Sequence, residues 1–185
     1  YNTASGPYSL HNNTEGDNNI ASGYKSLRYN TTGTRNIAIG NFSLDAPDTE
    51  SDNLAIGHDA LGGAIAGGEY NTSIGNYSMD ALTSGDGNTG IGYNAMTALT
   101  TGSGNVSLGR ASGTTITTGS NNTVIGKGSD VSASGAENQV VIGQGATGQA
   151  DNSVVLGNAS VTAVYMAQDK GATAYGATFE ASTGI

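Results

Sequence analysis

The chain alternates short apolar runs with glycines that recur at a nearly fixed distance. We call the glycines that close these runs the marker glycines. Their successive spacings are 17, 17, 17, 18, 17, 17, 17, 17 and 14 residues. The marker glycines are Gly6, Gly23, Gly40, Gly57, Gly75, Gly92, Gly109, Gly126, Gly143 and Gly157. A register held over most of a chain indicates a repeat architecture.

Each marker glycine closes a five-residue unit in which large and small side chains alternate, as in Asn36-Ile37-Ala38-Ile39-Gly40. Alternation with a period of two predicts a β-strand. The residue before the marker glycine is Ile or Leu in eight of the ten copies, so we expect that face of the strand to be buried. The predicted core residues of this column are Ile39, Ile56, Ile74, Ile91, Leu108 and Ile125.

Two further apolar columns follow each strand. One lies four residues after the marker glycine and includes the predicted core residues Leu44, Leu61, Met79 and Met96. The other lies ten residues before the next marker glycine and holds Ile65, Leu82, Leu99 and Ile116. The single 18-residue interval has its extra residue between these two columns, within Gly62-Gly63-Ala64. An insertion confined to a turn is typical of a solenoid.

These patterns predict an all-β fold, a parallel β-solenoid or β-roll of about ten 17-residue coils over residues 1–157. Stacked coils would give a rod of roughly 45 Å at the usual strand spacing. Asparagine begins most units, and stacked amides can hydrogen-bond as an Asn ladder. The ladder residues are Asn36, Asn53, Asn71, Asn88, Asn105 and Asn122. Residues 158–185 leave the pattern, and we expect a C-terminal cap or neck of short strands there.

Small residues fill the column two positions before the marker glycine. This small column comprises Ala38, Ala55, Ser73, Gly90 and Ser107. Three or four medium-sized apolar side chains per coil form a thin core against the entropy of ordering about 17 residues. A close-packed parallel homotrimer would relieve this deficit, with the small column letting chains approach one another. In a monomeric solenoid the small column would instead line a narrow coil.

The recurring unit Asn-x-Ala-Ile-Gly-x-x-Ser-Leu resembles two related groups of proteins. One is the YadA-like head of trimeric autotransporter adhesins, and the other is the repeat shaft of phage tail fibres. The resemblance is clearest over 36–44, 53–61, 71–79 and 105–108, and the stretch 152–166 resembles the junction that follows such repeats in fibre proteins. It implies a trimeric, left-handed parallel β-roll that reaches toward a cell surface, with a C-terminal chaperone that is often cleaved off. The 17-residue period exceeds the usual adhesin repeat of about 14–15 residues, which favours the fibre.

Charge and composition exclude several classes of binding partner and site. Six Lys and Arg against 15 Asp and Glu give a formal charge of −9, which disfavours nucleic acid and anionic membrane surfaces. The absence of cysteine excludes disulfides and thiolate sites. No apolar run approaches the ~18 residues of a membrane span. Since the chain begins at Tyr1 rather than at a methionine, we expect a fragment or a processed chain.

Acidic residues suggest calcium as the only candidate cofactor. Residues 36–109 contain eight carboxylates and no Lys or Arg. The best local cluster is Asp45, Asp48, Glu50 and Asp52, and calcium prefers six to eight oxygen ligands. The alternative is a solvated acidic turn. We expect no enzymatic activity, because Asp45 and Asp80 would lie two coils apart without a cleft, and His11 and His58 are far apart in sequence.

Aromatic residues recur just after the marker glycines, at Tyr8, Tyr24, Phe42, Tyr77 and Tyr93. Such a stripe either stacks on sugar rings or packs over turns and between chains.

Together, the repeat, the resemblance and the charge predict a structural and receptor-binding segment of an extracellular or virion fibre, with a host glycan or surface receptor as its partner. The alternatives are a bacterial adhesin head, which a following heptad stalk would favour, and an ice-binding solenoid. The latter needs a regular Thr column, which Val106 interrupts after Thr72 and Thr89.

Overall fold

The computed structural model describes residues 1–46 and 49–164, and the proposed cap at 158–185 therefore lies largely outside the described residues. The described residues form ten short strands and no helix. The strands are β1 (Thr3–Ser5), β2 (Ile20–Ser22), β3 (Ile37–Ile39), β4 (Leu54–Ile56), β5 (Thr72–Ile74), β6 (Thr89–Ile91), β7 (Val106–Leu108), β8 (Thr123–Ile125), β9 (Val140–Ile142) and β10 (Val154–Leu156).

All ten strands belong to one parallel sheet in sequential order, so the chain is a parallel β-solenoid with one strand per coil. Equivalent positions pair directly. Ile37 lies opposite Leu54, Ala38 opposite Ala55 and Ile39 opposite Ile56. The register survives the 18-residue interval, since Ile56 lies opposite Ile74. The extra residue is thus absorbed in the turn, as the sequence predicted.

The marker glycines make this stacking possible. Gly40 and its equivalents have φ between +126° and +143° up to Gly143, a region that residues with a Cβ rarely adopt. A Cβ built on Gly40 would overlap the carbonyl oxygen of Gly57 in the next coil. The glycine column therefore ends each strand and sets the close approach of successive coils.

The asparagine ladder is present, and it binds backbone as well as side chains. The Asn88 backbone N–H donates to Oδ1 of Asn71 at 2.9 Å, and the Asn88 Nδ2 donates to the Gly102 carbonyl at 2.9 Å. The same pattern joins each successive pair of the six predicted asparagines. Each amide is buried, so the ladder satisfies polar groups that water cannot reach.

The core lies between the strands and the turns that follow them. Leu44, Leu61, Met79 and Met96 are fully buried, which confirms the second predicted apolar column. Ile65, Leu82, Leu99 and Ile116 are buried beside them.

The prediction for the first column was wrong for the single chain. The small column faces the interior: Ala38, Ala55, Ser73 and Ser107 are fully buried. The Ile and Leu side chains point outward, and Ile39 and Leu108 are 41% and 45% exposed. The others in the predicted set are half-buried, namely Ile56, Ile74, Ile91 and Ile125. Alternation places the two columns on opposite faces, and Leu and Met from the turns occupy the space inside.

Candidate binding surfaces

The outward side of the sheet is an extended surface that is largely apolar from β3 to β10. We call it the outer face, and it consists of the first and third residues of every strand. From β3 to β10 the third residue is always Ile or Leu, and the first is Ile, Leu, Val or Thr. Seven spacings of about 4.8 Å from β3 to β10 and three residues of about 3.3 Å give an apolar patch of roughly 34 by 10 Å.

A second surface is a column of aromatic rings on the turn that follows each strand. Six rings, one from each of six successive coils, form the aromatic column: Tyr8, Tyr24, Phe42, His58, Tyr77 and Tyr93. Neighbouring ring centroids lie 5.3 to 6.1 Å apart with interplanar angles of 55° to 88°. Edge-to-face contacts of this kind are the favoured arrangement of aromatic pairs. The predicted aromatic stripe is therefore a continuous ladder, and its rings contact one another.

The rings alternate between two backbone positions. Tyr24, His58 and Tyr93 lie one residue after their marker glycines, whereas Tyr8, Phe42 and Tyr77 lie two residues after theirs. Coils about 4.8 Å apart are closer than the observed centroid spacings, so rings at one repeated position would crowd each other. The alternation supplies the lateral offset that edge-to-face contacts need.

Polar neighbours hold the alternation in place. In two of the three coils whose ring is in the second position, those of Phe42 and Tyr77, an asparagine takes the first position and accepts a backbone hydrogen bond from the preceding coil. The Tyr24 N–H donates to Asn41 Oδ1 at 3.0 Å, and the His58 N–H donates to Asn76 Oδ1 at 2.8 Å. Lys25 Nζ lies 5.0 Å from the Tyr24 ring centroid, a cation–π distance.

The second position has an unusual backbone. Tyr8, Phe42 and Tyr77 have φ of 59°, 59° and 58°. This left-handed region costs an L-residue about 1–2 kcal/mol, and a bulky residue there is an outlier. The chain retains rings at these strained positions in three of its first five coils.

Two cations continue the column beyond the last ring. Arg110 and Lys127 occupy the first position after their marker glycines, as Tyr93 does, and both are exposed. Inter-coil hydrogen bonds fix their backbones: the Ala111 N–H donates to the Tyr93 carbonyl, and the Gly128 N–H donates to the Arg110 carbonyl. Within the described residues, neither cation forms an ion pair.

The calcium candidates separate in the structure. Asp45 pairs with Arg28 at 3.2 Å, and Asp52 receives two 2.6 Å hydrogen bonds from Arg35. Glu50 is buried and accepts the backbone N–H of Gly67 at 2.8 Å. Asp48 lies outside the described residues. Over 1–46 and 49–164, no three acidic or His side chains come together as a metal site, and the calcium hypothesis stays a prediction.

The two ion-paired carboxylates differ electrostatically. Burial raises the pKa of the Asp45 carboxyl, while the nearby Arg28 charge opposes that rise. The Arg35 hydrogen bonds lower the pKa of Asp52, whose side chain is half-buried. Asp80 accepts a 2.7 Å hydrogen bond from the Thr97 hydroxyl. These groups serve as links between coils.

Sequence reasoning missed three members of these surfaces. His58 completes the aromatic column, and the alternation between the two positions after the marker glycine could have identified it. Arg110 and Lys127 share a position with Tyr93, and reading that column as a whole would have found them. The outer face was misplaced because a period of two does not say which side of a strand faces inward.

No family model, curated protein or solved structure matches this chain. In the part of the chain that the structure describes, there is no helix with the length and apolar character to cross a membrane.

Proposed function

We propose that this chain is a structural and receptor-binding segment of an extracellular or virion fibre and that it assembles as a homotrimer. The observation that supports this most strongly is the exposed outer face. Its third strand position is Ile or Leu in eight successive coils, and Leu108 and Leu156 are nearly half exposed in the single chain. Exposed apolar faces of this size often mark interaction sites, so this face supports a partner bound along the rod.

The size and length of the outer face favour a partner of similar length. A patch of roughly 340 Å² by strand geometry is comparable to the largest apolar patches on soluble monomers, which are often interaction sites. Its spacing repeats with every coil, so the surface that matches it best has the same repeat. A second copy of this chain has that repeat by definition.

A cyclic trimer uses the face along its whole length. If three rods lie parallel around an axis along their length, each outer face meets both neighbours, and every coil is level with its equivalents. Cyclic symmetry closes the assembly without leaving an open apolar edge. The small column does not contribute to this contact, because it lies inside each coil.

The remaining surface suits recognition and not chemistry. Thr49 and Tyr70, from the turns over 45–52 and 62–70, lie on the outside of the rod with the aromatic column. A straight column of stacked coils holds such groups at fixed intervals and projects them from an anchoring structure. We therefore propose that the segment positions a recognition surface for host glycans or receptors and has no catalytic activity.

Light scattering tests the assembly. We expect a mass of about three times 18.4 kDa that persists on heating in detergent. Ile39→Glu with Leu108→Glu should convert the trimer to folded monomers, because both residues are exposed in the single chain and would place charges in the interface. Thr101→Glu is the matched control, since Thr101 is exposed on a turn outside the strands. A monomeric wild-type protein, or a trimer unaffected by the two outer-face charges, would refute the proposal.

A further inference from the structure

The cations of the chain divide into two groups. Arg28 and Arg35 are neutralised by Asp45 and Asp52. The other described cations all lie just after marker glycines on the aromatic column or its continuation: Lys25, Arg110 and Lys127. On a chain with a formal charge of −9, this turn is where uncompensated positive charge collects.

Arg110 and Lys127 are neighbours on the rod. Their marker glycines Gly109 and Gly126 stack directly, so the two side chains start about 4.8 Å apart. Like charges placed directly opposite each other on adjacent strands are unfavourable. An anion bound between them would remove this repulsion and gain charge-assisted hydrogen bonds, with the Arg guanidinium able to engage a carboxylate in a bidentate manner.

The aromatic column ends where this pair begins. Tyr93 is 48% exposed and occupies the same position one coil before Arg110. Tyr77 precedes it with a ring centroid 6.1 Å away. From Tyr77 to Lys127 the rod thus presents two phenol rings and then two cations over about 14 Å, three coil spacings.

We propose that this strip, Tyr77, Tyr93, Arg110 and Lys127, binds a linear carboxylated polysaccharide that lies along the rod. The inference rests on the proposed receptor-binding function and names its ligand class and site. The rings contact the apolar faces of sugar rings, and the cations bind carboxylates one or two sugars further along. The polymer runs parallel to the rod because the binding groups are arranged along it.

The charge distribution favours a polysaccharide over nucleic acid. Residues 36–109 contain eight carboxylates and no Lys or Arg, so the rod that leads to the strip repels a polymer more strongly the more densely that polymer is charged. Duplex DNA has one charge per about 1.7 Å, far denser than two cations can neutralise. A polymer with at most one carboxylate per sugar, and apolar ring faces between them, matches two cations next to two phenols.

The test measures binding of fluorescent alginate and hyaluronan to the intact 185-residue protein, with neutral dextran and poly-glutamate as comparison polymers. We expect the wild type to bind at least one of the two carboxylated polysaccharides at least tenfold more tightly than either comparison polymer. Arg110→Gln with Lys127→Gln should reduce this affinity at least tenfold and flatten its salt dependence. Tyr93→Ala should reduce it at constant salt dependence.

The matched control is Arg35→Gln, which removes a cation that Asp52 already neutralises, and it should leave the affinity within twofold of wild type. Three results would overturn the inference: no binding of either carboxylated polysaccharide, binding unchanged in the double variant, or equal binding of poly-glutamate, which would indicate a general site for acidic chains. Light scattering on the same samples separates the two proposals. A trimer that fails to bind refutes only this inference, whereas a monomer refutes the fibre assembly.

Discussion

The coils of β1–β6 and those of β8–β10 have the same backbone path but fill their interiors in opposite ways. In the first region the inward strand residue is Ala, Ser or Gly, and a Leu or Met from the following turn fills the space. In the second region the inward residues are Val124, Val141 and Val155, and the core is completed by smaller residues such as Ala136 and Ala146. The large side chain on the inward side thus comes from the turn in the first region and from the strand in the second.

The boundary between the regions shows how tightly the two sources are coupled. A Cβ on Gly90 would lie 3.2 Å from Met79 Cγ and 3.3 Å from Met96 Cε. A Cβ on Gly113, which takes the Leu/Met position in the next coil, would lie 3.1 Å from Met96 Cγ. Each glycine thus leaves room that a neighbouring Met occupies, as close packing requires.

The regions also differ in how they form the left-handed turn. The first uses large residues at φ of 44° to 59°, such as Phe42 and Leu44, and the second uses Gly128 and Gly145 at φ of 64° and 61°. Glycine adopts this conformation without strain. Many of the left-handed positions in the first region thus carry side chains that add core packing or stacked rings, whereas the second region uses glycine at Gly128 and Gly145.

The largest loss of folding stability is expected on substitution of a marker glycine, since both regions have these glycines. Gly75→Ala should destabilise the protein by about 4 kcal/mol or more, because φ is +134° and the new Cβ would overlap the Gly92 carbonyl oxygen. Gly128→Ala is the control, since φ is +64° and nothing lies within 4 Å of the new Cβ. It should cost about 1 kcal/mol. Urea unfolding followed by circular dichroism measures both, and equal losses would contradict the assigned role of the marker glycines.

The next largest loss of stability is expected within the asparagine ladder, and it should be greater inside the ladder, in the first region, than at the end of the ladder in the second. Asn88→Ala should cost about 3 kcal/mol, because it leaves the buried Asn105 N–H and the Gly102 carbonyl without their partner. Gln139→Ala should cost about half as much. Gln139 ends the ladder and turns its amide to Ser132, at 2.6 Å from the hydroxyl. Amide hydrogen exchange should show faster exchange at Asn105 in the first variant, and unchanged protection there would argue against the ladder's contribution.

A double-mutant cycle tests whether the inward strand residue and the Leu or Met of the turn fill the same space inside the coil. Gly90→Val imposes the packing of the second region on the first and should cost about 2–3 kcal/mol by overpacking against Met96. Met96→Ala alone should cost about 2–5 kcal/mol by leaving a cavity. The double variant should be more stable than the sum of the two losses by about 1 kcal/mol or more, because the new Val fills the space that Met96 leaves. Additive losses in urea unfolding would mean that the two sites do not share that space.

The smallest expected effect is the change in folding stability at acidic pH through Asp45 and Asp52. The folded pKa of Asp45 is raised, so its protonation favours the folded state as pH falls through that pKa. The folded pKa of Asp52 is lowered, so its contribution is present above the unfolded value of about 3.9 and is lost as pH falls through the lowered value. Carboxyl NMR titration should therefore show Asp45 protonating at higher pH than Asp52. Arg35→Gln should move the Asp52 midpoint upward and leave that of Asp45 in place, and coincident midpoints in the wild type would contradict this assignment.

The solenoid could be predicted from the sequence because the fixed spacing of the marker glycines sets the length of each coil, and coils of equal length stack strand upon strand. A marker glycine every 17 residues places like residues in contact, so the strand order, the ladder and the burial of Leu44 and Met79 all followed. The inward side of the strands did not follow, because Ala38 and Ile39 are equally consistent with alternation. Only the three-dimensional position of Leu44, inside the coil, shows that no room is left there for an Ile. The aromatic column was partly predicted, since its rings occupy two positions and a search at one offset misses His58.

The direction of the hydrogen bonds in this sheet determines how the rod responds to force. Bonds between coils point along the rod axis, as when the Gly57 N–H donates to the Ile39 carbonyl at 2.8 Å. Tension along the rod therefore acts on the coil-to-coil junctions in series, and the weakest junction alone sets the breaking force. Partner chains bound along the outer face would run alongside each coil-to-coil junction and carry part of the tension there.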